Sequence, residues 1–237
     1  MKNKELVVFF AFIIFNLNSY DSSNTEKVFT EIYKNNFWAD AIGGATLKPD
    51  ASISGNGSNL ISTAKIRKEI PQLLKKYNIQ IMLDAPCGDF FWMRYIISQL
   101  GSIRYIGIDI VDDLIKRNKS LYKNNEIEFL HLDLIKDSLP CVDLVLCRDC
   151  LVHFSYNDVV LTIQNLKESG SKYILMTHFN WVKDRKFQDI TTGDWHPVNF
   201  TLPPFNFPNP LELVIENCPQ LGFPDKCLAL WKLEDLK

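Results

Sequence analysis

Two hydrophobic rhythms divide the chain. Short apolar runs of four to seven residues recur at 79–84, 104–109, 126–132, 142–147 and 172–178. Their length and their Ile, Leu and Val content predict buried strands. Between them, 90–100, 111–123 and 156–169 place apolar residues at helical spacing. Strands separated by helical stretches imply right-handed βαβ units and a mainly parallel α/β sheet. Upstream, 26–33 reads as a short helix with Val28, Phe29, Ile32 and Tyr33 on one face. The stretch 35–58 is rich in Gly, Asn, Ser and Ala and reads as a long loop. A helix is expected over 59–69, and Pro71 suits the start of a further turn, 72–77. Downstream, prolines and aromatics crowd 194–210, which excludes a central strand or a helix interior. Two more strands follow, 211–215 and 227–233, expected as an antiparallel pair at the sheet edge.

The first two strands both end on an acid, Asp84 and Asp109. The turn after Asp84 is Ala85-Pro86-Cys87-Gly88-Asp89-Phe90 and lacks Gly-x-Gly-x-x-Gly. A pyrophosphate needs those glycines so that backbone N–H groups can approach it. A ligand with a ribose and no phosphate does not, and S-adenosylmethionine (SAM) fits that description. A nicotinamide oxidoreductase is disfavoured for the same reason.

Bulk properties narrow the partners. The chain has 237 residues, 46% of them hydrophobic, and a formal net charge of -2. There is no surplus of positive charge for a polyanion, so nucleic acid is not expected. Residues 6–15 form an apolar run after a charged lead. That length suits a signal peptide over 1–19 and is short for a membrane span. The expected address is the secretory pathway, with a membrane anchor or a cytoplasmic protein as alternatives; membrane contact is expected only through this segment. Three Asn-x-Ser/Thr triplets begin at Asn56, Asn118 and Asn199, a number that carries little weight in so Asn-rich a chain. Cys147-Arg148-Asp149-Cys150 has the spacing of a metal or redox pair, but a second pair is missing and no metal is expected. Cys218 and Cys227 are close enough in sequence to close a small loop; buried free thiols are the plainer reading.

Four motifs carry a family resemblance. They are Ser52 to Ser58, the turn Asp84 to Trp92 (Asp-x-Pro-Cys-Gly-Asp-Phe-x-Trp), Cys147 to His153 (Cys-Arg-Asp-Cys-Leu-Val-His), and Gly193 to Asn199 before Pro203-Pro204-Phe205. With Phe129 to Leu134 they resemble class I SAM-dependent methyltransferases, and more narrowly a branch of bacteria and large viruses. The resemblance covers residues 28 to 237 and implies a catalytic domain over 26–237. It implies a Rossmann-like sheet of seven strands, with the last inserted antiparallel. It also implies cofactor contacts: Asp84, Pro86 and Gly88 near the methionine end, Asp109 and Ile110 at the ribose, Asp133 and Leu134 at the adenine. Pro86 and Phe90 stand where the superfamily has glycines. Proline removes an N–H donor, so the cofactor's carboxylate needs another anchor. The loop containing Ser54 and Gly55, entering a helix, is a candidate, with Trp38 beside it.

Methyl transfer to an alcohol requires alignment and a base within hydrogen-bond reach. The candidates are Asp149 at the end of the fourth strand, His153 four residues on, and His178 at the end of the fifth. Arg148 suits an anionic group. Asp194, Trp195 and His196 form a candidate substrate lid, which suits a sugar ring: Trp195 to stack and Asp194 to hold hydroxyls. Their plainer reading is a strap covering the core. The expectation is O-methylation of a carbohydrate or another small polar acceptor. The competing expectation is a secreted or lumenal module that keeps the fold without turnover.

Overall fold

A computed structural model describes residues 22–40, 52–101, 103–180, 188–217 and 223–236. The segment 1–19, expected as a signal peptide, and Cys218 lie outside these residues. Seven strands form one sheet: β1 (Ile81–Asp84), β2 (Arg104–Asp109), β3 (Ile127–His131), β4 (Leu144–Cys147), β5 (Tyr173–Phe179), β6 (Glu212–Ile215) and β7 (Lys226–Lys232). Their order is β3-β2-β1-β4-β5-β7-β6. The first five pair in parallel, and β7 runs antiparallel to both β5 and β6. The expected sheet, with its reversed last strand, is the one found.

The continuous apolar runs reflect burial on both faces. Leu83, Val145 and Ile174 face one core layer, closed by Val159, Ile163 and Leu166 of α6 (Tyr156–Glu168). Met82, Leu144, Leu146 and Leu175 face the other. That layer is closed by α3 (Ile66–Lys76) and α4 (Met93–Ile97). Helix α5 (Asp112–Tyr122) divides its apolar residues, Leu114 to the first layer and Ile115 to the second. Two short helices, α1 (Ser22–Lys34) and α2 (Phe37–Asp40), precede the sheet.

Helix boundaries depart from the sequence reading where side chains compete for the backbone. The expected helix at 59–69 starts only at Ile66, because Asn59 Oδ1 accepts the N–H groups of Ile61 and Ser62 at 2.9 and 2.7 Å. It then runs through Pro71 to Lys76 instead of restarting there. The expected helix at 90–100 shrinks to α4, since the preceding turn holds Phe90 at φ 57°, outside helical space. Residues 35–58 are not wholly loop: they contain α2 and a 3-10 turn, Asn56–Ser58.

The proline-rich tail covers the first core layer. Phe200 and Phe207 are buried and ring-packed with Trp231, whose Nε1–H donates to the Pro208 carbonyl at 2.7 Å. No helix of the described residues is long and apolar enough to cross a membrane.

Candidate active site

The strand order reverses between β1 and β4, and crevices for ligands open at such switch points, at the strands' carboxyl ends. A cleft with about 1070 Å³ of empty space, part of it open to solvent, lies there. Its floor comes from the ends of β1, β2 and β4, and Thr25, Phe29, Tyr33 and Trp38 of α1 and α2 roof it. Of the residues singled out in the sequence, Ser54, Asp84, Pro86, Gly88, Asp109, Ile110, Asp133, Leu134, Arg148, Asp149 and His153 line it. Gly55 stands beside it: its φ of 93° needs glycine, and a Cβ there would press on Trp38 Cβ at 3.2 Å.

The turn after β1 is held by side chains from three directions. Asp109 accepts from the Gly88 N–H at 3.1 Å and the Val111 N–H at 3.0 Å. Asn118 Nδ2 donates to the Gly88 carbonyl at 2.7 Å. Asp89 binds the Ser52–Ser58 loop, taking the Ser52 hydroxyl at 3.0 Å and the Ile53 N–H at 2.8 Å, while its own N–H donates to Ser54 Oγ at 2.9 Å. A Cβ on Gly88 would meet Ser54 Oγ at 2.6 Å, so only glycine lets loop and turn close on each other. The loop therefore belongs to the cleft wall.

Three of the acids lining the cleft, Asp84, Asp109 and Asp133, are in different states. Burial pushes Asp84 up to about 7, although the Tyr105 hydroxyl donates to its Oδ2 at 2.7 Å. Burial likewise raises Asp109 to about 6, against the N–H groups that favour its charged form. Asp133 gives Oδ1 to the Ile135 N–H at 2.8 Å, while its buried Oδ2 has no hydrogen-bond partner among the described residues; Lys136 Nζ is 3.6 Å away. An unsatisfied buried acceptor in an apolar wall is complementary to a ligand amine. Asp109 and Asp133, beside Ile110, Leu132 and Leu134, fit an adenosine moiety.

Residues 82–169 match the model of a methyltransferase domain family. The matched stretch, from β1 to the end of α6, is similar to a methyltransferase domain. No curated protein matches it. Among solved structures it is similar to magnesium protoporphyrin IX methyltransferase from Synechocystis PCC 6803 with bound SAM. That likeness has a TM-score of 0.55 at 10% identity, over 90% of this chain and 99% of that one. It is also similar to human N-acetylserotonin methyltransferase in complex with SAM, with a TM-score of 0.50 at 10% identity, over 90% and 67% of the two chains. At such identities the likeness is one of fold. Both of those structures hold SAM.

Among the three expected bases the structure separates roles. Asp149, at φ 52°, is half-buried, and its partial desolvation by itself raises its pKa; Arg148 Nη1 at 3.2 Å and Lys226 Nζ at 2.7 Å outweigh that and hold it below the ordinary carboxylate range. A carboxylate so paired is a weak base. His178 does not line the cleft. It is 1% exposed, accepts the Phe200 N–H at Nδ1 (3.3 Å), and burial lowers it to about 4. Its strand alternation turns it into the core beside Trp231. His153 lines the cleft, 5.2 Å from the Trp38 ring, with Nδ1 2.8 Å from the Asp194 carbonyl. A carbonyl only accepts, so Nδ1 carries the proton and Nε2 the lone pair. Burial lowers its pKa, keeping the neutral form at pH 7.

The expected lid residues are differently placed. Trp195 is 42% exposed and packs on Phe223 and Phe179. His196 is buried against Tyr156, with Nδ1 3.3 Å from the Gln188 carbonyl. None of the three lines the cleft; Asp194 contacts the cleft-lining His153 through its main-chain carbonyl. Arg148 is committed to Glu216, Asp149 and the Gly57 carbonyl. Cys147 and Cys150 are buried thiols, and Cys227 is a free thiol donating to the His178 carbonyl at 3.2 Å. Sequence reasoning missed Asp89, Asn118, Glu216 and Lys226. Only Asp89 had a local signal, its place in the turn motif.

Proposed function

We propose that the protein is a SAM-dependent methyltransferase that O-methylates a small hydroxylated acceptor, with His153 as general base. The observation that carries this reading is the His153 Nδ1 contact with the Asp194 carbonyl, which leaves the Nε2 lone pair available in a cleft-lining imidazole. SAM supplies an activated methyl group for in-line displacement, so the protein's work is alignment and proton removal. Asp109 and Ile110 hold the ribose, Asp133 Oδ2 and the Leu134 N–H the adenine, and the Ser54–Gly55 loop with Asp84 and Gly88 the amino-acid end. Trp38 and Phe29 offer ring faces to the acceptor. The fold relatives are named for small-molecule acceptors, magnesium protoporphyrin IX and N-acetylserotonin, which supports a small ring-bearing acceptor. A sugar ring packed on Trp38 is the carbohydrate form of the same proposal; Trp195, turned onto Phe223, gives it no support.

Calorimetry of the purified chain with SAM, its demethylated product and NAD tests the first half. SAM and its product should bind, and NAD should not. Methyl-transfer assays over sugars, phenols and other small alcohols test the second, with His153→Gln lowering kcat by roughly 10²–10⁴ and the Kd of SAM changing less than about threefold. An unchanged kcat in that variant would remove His153 from its role.

A further inference from the structure

Four charged groups from distant parts of the chain meet beside the cleft. Arg148, just past β4, donates from Nε and Nη2 to the two oxygens of Glu216 at 3.2 and 2.7 Å. Its Nη1 lies 3.2 Å from Asp149 Oδ2. Lys226, which opens β7, lies 2.7 Å from that same oxygen and 3.3 Å from Glu216 Oε2. The set is two cations and two anions, so its charge is balanced. Glu216 and Lys226 are buried and do not line the cleft.

The quartet has a contact on its cleft side. Arg148 Nη2 donates to the Gly57 carbonyl at 2.9 Å, and a Cβ on Gly57 would come within 2.9 Å of Asp149 Oδ2. The guanidinium also sits 5.4 Å over the Trp92 ring of the β1 turn. Arg148 thus touches both walls of the proposed amino-acid subsite, and Glu216 fixes its plane through two bonds. A planar guanidinium pinned on one edge presents its remaining donors in a fixed direction.

We infer that Glu216 and Lys226 are positioning residues for the cofactor: they hold Arg148 and Asp149 in the one arrangement that docks the Ser52–Ser58 loop against the β1 turn. The inference rests on the reading that this loop binds the amino-acid end of SAM. A merely structural quartet would alter folding stability and leave SAM affinity in the folded protein unchanged.

Glu216→Gln keeps shape and removes the charge. The expected result is a Kd and KM for SAM raised about tenfold or more, with kcat at saturating SAM within about threefold of wild type. Amide exchange of residues 53–58 should accelerate at least about tenfold, and that of β1 and β4 should stay unchanged. Breaking a buried pair is costly, so Gly57→Ala serves as a second variant, which crowds the loop and leaves all four charges in place. It should give the same split and the same local exchange. Unchanged loop exchange and SAM affinity in either folded variant overturns the inference, as does a fall in kcat at unchanged Kd. If wild type itself lacks SAM affinity, the reading of the loop as a cofactor site fails, while loop exchange in the two variants still decides whether the quartet anchors it.

Discussion

His153 gives its Nδ1 proton to the main-chain carbonyl of Asp194, 2.8 Å away. The contact is reinforced on both sides: the Gly193 N–H donates to the His153 carbonyl at 2.8 Å, and the His196 N–H to the Val152 carbonyl at 3.0 Å. The proline-rich strap thus acts on the cleft through its backbone, and the tautomer of His153 does not depend on the side chain at 194. Asp194→Ala should therefore retain transfer within about threefold in kcat. A loss comparable to that of His153→Gln would mean that the Asp194 carboxylate, not its carbonyl, carries the role.

The pH profile separates the two candidate bases. Burial lowers His153 below the ordinary imidazole value of about 6.5, so the rate should stay flat above that pH and fall on the acid side below it. The Asp149 charge is among the influences that raise His153. Asp149→Asn should shift the acid limb to lower pH without abolishing it. It should also destabilise the fold by roughly 1–3 kcal/mol, because the buried Arg148 and Lys226 then keep only Glu216 as counter-charge. Disappearance of the limb in this variant would restore Asp149 as the base.

Asp84 makes stability depend on pH in the opposite sense to the usual carboxylate. Its folded pKa, about 7, lies above its unfolded value, mainly through burial. Between roughly pH 4 and 7 the folded state holds a proton that the unfolded state releases, so this acid costs stability as pH rises through that window. Asp84→Asn preserves an acceptor for the Tyr105 hydroxyl. It should raise Tm at pH 8, by an amount on the order of 2 kcal/mol in free energy, and change little at pH 4. Equal effects at both pH values would show that Asp84 is not desolvated.

Passage through a glycosylating compartment has a specific consequence. Asn118 is fully buried, and the Nδ2 that would carry a glycan is the atom bound to the Gly88 carbonyl. Wild-type chain routed through such a compartment should be modified at Asn118 and fail to bind SAM. Ser120→Ala removes the acceptor triplet at an exposed helix position and should restore binding, as read by intact mass and calorimetry. Full SAM affinity in protein glycosylated at Asn118 would contradict the packing of α5 against the turn.

Much of the fold was legible because its signals are local. Apolar runs such as 142–147 bury on both faces, and acids at the ends of β1 and β2 sit where a parallel sheet opens. The charge quartet was not legible. Glu216 and Lys226 look like solvated residues around a turn, and only the reversal of β7 brings them to Arg148. Trp195 misled for the opposite reason: an aromatic among prolines suits a lid, but whether it faces ligand or core depends on Phe179 and Phe223, far away in sequence.

The reversal of β7 also decides which end of the sheet each terminus of that strand reaches. Lys226 pairs beside Phe179 at the cleft end, and Lys232 beside Tyr173, where β5 begins. At about 3.4 Å per residue, the chain leaves the sheet on the order of 20 Å from the cleft mouth. A tether attached at the Lys232 end of β7 would therefore hold the molecule by its back, with the cleft mouth facing solution.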